Sequence, residues 1–191
     1  MDESVSQKRE AIVDTAIELF RRNGFHATGV DKIVEESGAT KRTLYKHFPS
    51  KDALVVAALE KHHAQFIDFF GGSTEAKASD PEDKLLAIFD VAHDWFSQDD
   101  FYGCMFINAI GEYAETRGKV RAVVQDFKQH VQAYIKDVAE KAGAKNPAAL
   151  AEQLALLLEG SIVTAQVSNN PKAASSAKAI AKELINQQLT H

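Results

Sequence analysis

The chain has 191 residues, a hydrophobic fraction of 45% and a formal net charge of −5. That fits one large globular domain or two small ones and excludes global disorder. Its single cysteine, Cys104, excludes an internal disulfide framework and a multi-cysteine zinc site. With only four Pro and ten Gly among abundant Ala, Leu, Lys, Glu and Gln, the composition favours an all-α fold. The opening MDESVSQKRE lacks the apolar core of a signal peptide, and no run approaches the ~18 apolar residues of a membrane span. A cytoplasmic protein is expected. Charge is uneven: residues 1–52 hold nine Lys/Arg and nine Asp/Glu, so the remainder carries the whole negative excess. A neutral head with one basic segment, joined to an acidic body, suggests two tasks.

In chain order, a first helix is expected over about 6–23. Its apolar stripe is Ile12, Ala16, Leu19 and Phe20, and Asn23-Gly24 ends it. Thr28 opens a short second helix, with Thr28-x-x-Asp31 close to a capping box; Ser37-Gly38 closes it. Thr40 caps a short third helix carrying Leu44 and Phe48, and Pro49 stops it. Ser50 caps a fourth that runs to about Phe70, and GGSTEAKASD reads as a loop. Five more helices follow, over about 81–97, 104–115, 119–142, 147–168 and 172–189, making about nine.

Two short helices meeting at Gly38 form a helix-turn-helix over about 28–48. On a helical wheel Leu44 and Phe48 define the buried face of the second. Arg42, Thr43 and Lys46 lie opposite, Tyr45 and His47 flank them, and Lys41 sits in the first turn. From Thr40 to Lys51 there are four Lys/Arg and no acidic residue. Such a surface suits the major groove: Arg42 can pair with guanine, Thr43 can touch a base, and Lys51 with the free N–H groups of the fourth helix can hold a phosphate.

The segment FHATGVDKIVEESGATKRTLYKHFPSKDAL, Phe25 to Leu54, resembles the DNA-binding domain of the tetracycline-repressor-like (TetR/AcrR) family of bacterial transcriptional regulators. The likeness rests on G-F before T-x-V-x-x-I, the S-G turn, and T-L-Y-x-H-F-x-S-K-x-x-L. It implies a three-helix DNA-binding domain, residues 1–51, joined to a helical ligand-binding and dimerisation domain, residues 52–191. It further implies that Lys41, Arg42 and Thr43 face base edges, that Tyr45, His47 and Lys51 brace the backbone, and that Thr28 caps the second helix against a phosphate. Thr40 and Lys46 complete the expected DNA-facing set. Many relatives carry a small residue or Gly where this chain has Arg42, so the operator sequence does not carry over.

In the acidic body the last two helices are apolar around more than one face. A two-fold four-helix interface would bury the excess through Leu150, Leu154, Leu157, Leu158, Ser161, Ile162, Ala165, Ala177, Ile180, Ala181, Leu184 and Ile185. Aromatic and polar residues concentrate between about 89 and 134. Phe89, His93, Trp95, Phe96, Phe101, Met105, Phe106, Asn108, Glu112, Tyr113, Phe127, His130 and Tyr134 are candidates to line an effector pocket.

No phosphate loop or Ser/His/Asp signature occurs, and the adjacent His62 and His63 point about 100° apart on a helix. No catalytic residue, metal or cofactor is expected. The sequence reads as a homodimeric repressor that binds a palindromic operator and is released by an apolar or aromatic small molecule. The alternatives are a helix-turn-helix regulator without such an effector, and a small-molecule-binding protein with vestigial DNA binding.

Overall fold

The computed structural model describes residues 3–113 and 118–189, with side chains from residue 6 onward. Among the described residues there are nine α-helices and no strand: α1 Glu3–Asn23, α2 Val30–Ser37, α3 Lys41–His47, α4 Lys51–Lys77, α5 Pro81–Phe96, α6 Met105–Glu112, α7 Lys119–Lys141, α8 Pro147–Ser168 and α9 Lys172–Gln188. The fold is all-α, an N-terminal helix-turn-helix followed by a helical C-terminal part. The expected end of α6 near Glu115 lies outside the described residues.

Backbone contacts divide the chain into two compact units. One comprises Met1–Gln65 and Met105–Asp126. Here α1, α2 and α3 pack on one another around Ile12, Ala16, Leu19, Phe20, Phe25, Ile33 and Leu44, all buried. Gly24 and Gly38 terminate α1 and α2 with φ of +84° and +66°. Those left-handed positions suit glycine and end each helix sharply. Phe25 then folds back, its ring 5.0 Å from that of Phe20. Lys61 of α4 ties down α1 through Glu10 at 2.5 Å and Asp14 at 2.7 Å.

The other unit comprises Phe66–Cys104 and Phe127–His191. In it α5 packs on α8 and α9, which also pack on each other. Asp80 caps α5 and Asn146 caps α8, each ahead of a proline in the first turn. Ala151, Ala165, Ala174, Ala177 and Ala181 are buried and let the helices approach closely. Bulk comes from Leu85, Ile88, Phe89, Leu150, Leu154 and Ile185.

One sequence expectation is corrected. α4 does not stop at Phe70 but continues to Lys77, through Gly71-Gly72. Its final turns are held within the second unit: Thr74 is fully buried, Glu75 pairs with Lys84 at 2.5 Å, and Lys77 pairs with Asp94 at 2.6 Å. These contacts outweigh the glycines' cost of roughly 1 kcal/mol each. By length and composition alone, α8 is long and apolar enough to cross a membrane. Only two charges, Glu152 and Glu159, fall within it, although no run is uninterruptedly apolar. One face of α8 is packed inside the second unit and the other is exposed.

Candidate nucleic-acid interface

α3 is seven residues long, too short to hold its shape alone. Thr40 caps it: its Oγ1 accepts from the Thr43 N–H at 3.1 Å and lies 2.9 Å from the Thr43 hydroxyl. Leu44 is fully buried. Phe48, just beyond the helix, is buried beneath the Arg9 guanidinium, which sits 5.2 Å from the ring centroid. With these anchors inward, α3 exposes Lys41, Arg42, Tyr45 and Lys46 and half-buries Thr43 and His47. That is the face the helical wheel places outward.

Its charges are not equivalent. Lys41 pairs with Asp31 of α2 at 2.6 Å, and the hydrogen bond to that carboxylate raises the lysine's pKa. Arg42 and Lys46 make no ion pair among the described residues. Lys51 begins α4, which Ser50 caps through the Ala53 N–H at 3.1 Å. The Lys51 ammonium donates to the His26 carbonyl at 3.3 Å.

Thr28 does not take its expected place. It is fully buried, and its hydroxyl donates to the carbonyls of Gly24 at 2.7 Å and Leu19 at 3.3 Å. The N-cap of α2 is Gly29, with no side-chain cap. The open carbonyls at the end of α1 claim the Thr28 hydroxyl, so no capping box with Asp31 forms and no phosphate can reach it.

Glu112 and Tyr113, expected in an effector pocket, meet the turn after α1. The Glu112 carboxylate accepts from the N–H of Phe25 at 2.9 Å and of His26 at 2.6 Å. The Tyr113 hydroxyl donates to Asp52 at 3.4 Å, and burial, with the Asp52 charge, pushes its pKa up to about 12. Both residues line a cavity of about 630 Å³ together with His26, Asp52, Lys119 and Arg121. No sequence signal links positions 86 and 87 residues apart. Also in this unit, Met105 and Phe106 are buried core and Asn108 is half-buried. Phe106 stacks on His62 at 5.6 Å, and burial, with Arg21 nearby, lowers the His62 pKa to about 4.

The remaining pocket candidates lie in the second unit. Trp95, Phe96 and Phe101 form one cluster, with ring centroids 4.9–5.6 Å apart. Phe66 joins Trp95 to Phe127, and Phe70 meets Tyr134. Phe89 is buried core. His93 is half-exposed beside Asp94, and His130 is exposed. The Tyr134 hydroxyl is buried with no hydrogen-bond partner among the described residues.

Of the expected dimer residues, Leu150, Leu154, Leu158, Ser161, Ile162, Ala165, Ala177, Ala181 and Ile185 are buried within the chain. Leu157 and Leu184 are half-buried, and Ile180 is exposed. The exposed apolar row on α8 is Leu156, Val163 and Val167, at 72%, 42% and 83% accessibility. A wheel based on hydrophobicity alone does not say which apolar stripe of such a helix packs inward.

Residues 12–58 match the family model described as bacterial regulatory proteins, tetR family, and residues 81–181 match the tetracyclin repressor-like C-terminal domain. The uncharacterized HTH-type transcriptional regulator YxaF of Bacillus subtilis is 36% identical over 83 residues, 43% of each protein. The HTH-type transcriptional regulator RutR of Escherichia coli is 41% identical over 58 residues, 30% of this chain and 27% of RutR. The chain thus matches less than half the length of these curated relatives. A crystal structure of a TetR-family transcriptional regulator from Streptomyces coelicolor aligns with a TM-score of 0.86 at 23% identity, covering 97% of each chain. Reduced NemR from Escherichia coli aligns at 0.84 and 23%, covering 93% of this chain and 96% of NemR. At that identity the likeness is one of fold. With both its DNA-binding and its C-terminal segments matched, the chain belongs to the TetR family of bacterial regulatory proteins.

Proposed function

We propose that this chain is a cytoplasmic, non-enzymatic transcriptional repressor whose homodimer binds a palindromic operator and leaves it when a small apolar or aromatic effector binds. The observation that carries the reading is the outward face of α3. Arg42, Tyr45 and Lys46 project from a helix pinned by Thr40, Leu44 and Phe48, and no carboxylate lies on that helix. Arg42 and Thr43 read base edges; Tyr45, Lys46, His47 and Lys51 hold phosphates. Lys41 exchanges Asp31 for DNA, and Thr40 acts as the cap that presents the others. The DNA-binding domain is residues 1–51, and residues 52–191 bind the effector and dimerise.

The effector site is the aromatic group of the second unit, Phe66, Trp95, Phe101, Phe127 and Tyr134. The Tyr134 hydroxyl, buried among these rings, is a polar group that a ligand could meet there. The dimer forms through Leu156, Val163, Val167 and Ile180, whose exposure on α8 and α9 supports an apolar interface. Gel shifts against DNA flanking the chain's own gene test the reading. Specific retention of a palindromic fragment at moderate salt is expected; retention of none contradicts it.

A further inference from the structure

Gly24 turns the chain left-handed at the end of α1, so the next two peptide N–H groups point outward from the helix rather than back into it. Both end on one side chain. Glu112 Oε1 accepts from Phe25 at 2.9 Å, and Oε2 from His26 at 2.6 Å. The His26 imidazole Nδ1 lies 3.3 Å from the same Oε2. Hydrogen bonds to a carboxylate are about twice as strong as neutral ones. The fit is close: a Cβ at Gly24 would lie 2.9 Å from Glu112 Oε1. Next along the chain, the Tyr113 ring packs 5.1 Å from that of His26.

The clasped turn also carries the elements that present α2 and α3. Thr28 holds the Gly24 carbonyl, and the Lys51 ammonium rests on the His26 carbonyl. A shift at the C-terminal end of α6 therefore acts on the backbone ahead of α2 and on a lysine assigned to phosphate, through one carboxylate. Because Glu112 lines a cavity of about 630 Å³ and is not sealed in the core, the clasp can open without unpacking Phe20 or Phe25.

We propose that Glu112 is a positioning residue that couples α6 to the DNA-binding helices by clasping the Phe25 and His26 amides. This rests on the reading of the chain as a DNA-binding regulator. By linkage, DNA that favours the clasped turn must stabilise α6, and whatever displaces α6 must weaken DNA binding by the same factor.

The test is hydrogen exchange on the full-length protein, wild type and Glu112→Gln, with and without the duplex that the wild type retains. Glutamine has the same shape but only one acceptor oxygen, so one amide loses its partner. In the free variant, whichever of amides 25 and 26 has lost its acceptor exchanges about tenfold faster. Duplex slows exchange over residues 105–113 in the wild type, far along the chain from α3, and no longer does so in the variant. The variant binds every duplex about tenfold more weakly with unchanged base preference. Glu112→Asp, whose carboxylate stops short of the turn, behaves as Glu112→Gln. Wild-type protein that binds duplex without protecting residues 105–113, or a Glu112→Gln protein that transmits the protection in full, overturns the coupling and leaves the regulator reading intact. A wild type that retains no duplex overturns the regulator reading and the coupling with it.

Discussion

Lys41 and Arg42 are neighbours with different chemistry. Asp31 already engages Lys41, whereas Arg42 presents five donors with no ion-pair partner among the described residues. In the proposed complex Arg42 meets a base edge, and Arg42→Ala costs about 1–3 kcal/mol on the preferred duplex and changes which base is preferred. Lys51→Ala weakens all duplexes alike and lowers the slope of log affinity against log salt by about one. Fluorescence anisotropy over a salt series on variant duplexes separates the two. The outward residues of α3 were legible because a helical wheel needs only spacing. The inward turn of Thr28 was not, since it depends on carbonyls left open by α1. His62 makes a prediction about stability. Its pKa is about 4 in the folded chain, against an ordinary value of 6.5. Below pH 6.5 the unfolded chain therefore binds a proton that the folded chain refuses. Stability is retained above pH 6.5 and falls toward pH 4, by at most about 3 kcal/mol. His62→Phe, which keeps the stack on Phe106, flattens that dependence; thermal melts between pH 4 and 7.5 measure it.

At the level of elements, prolines and glycine stops located most of the helices closely among the described residues, because each acts over three or four residues. α4 is the exception. Gly71-Gly72 with Ser73 and Thr74 has the composition of a loop, yet the buried Thr74 and the pairs from Glu75 and Lys77 carry the helix on. Those partners lie 9 and 17 positions away in sequence, beyond any local pattern. The continuity of α4 is open to a direct check at Gly72, where an added Cβ meets nothing within 4 Å. Gly72→Ala raises stability by about 0.5–1 kcal/mol, since alanine loses less conformational freedom in a helix. Urea unfolding reads the change; a loss of stability at this position means a backbone that is not helical there.

For the molecule as a whole, one charge pattern and one apolar pattern divide the work. The basic, carboxylate-free segment from Thr40 to Lys51 lies in an otherwise acidic chain, which discourages phosphate binding elsewhere. The apolar surplus of α8 and α9 sits outside the packed face, in Leu156, Val163, Val167 and Ile180. The sequence disclosed that surplus but not which stripe was spare, because the inner stripe is set by tertiary packing against α9 and α5 together. Val163→Glu places a charge in the proposed interface and leaves the inner core untouched. It is expected to give a folded monomer by light scattering at micromolar concentration. The central claim is that two copies of α3, held by this interface, read a repeated site. Selection from a pool of random duplexes tests it most directly. The wild type is expected to enrich palindromes whose half-sites lie one helical turn, about 34–36 Å, or a multiple apart, and Val163→Glu is expected to enrich none at the same concentration. Enrichment of an unrepeated site, bound equally by wild type and Val163→Glu, would contradict the account.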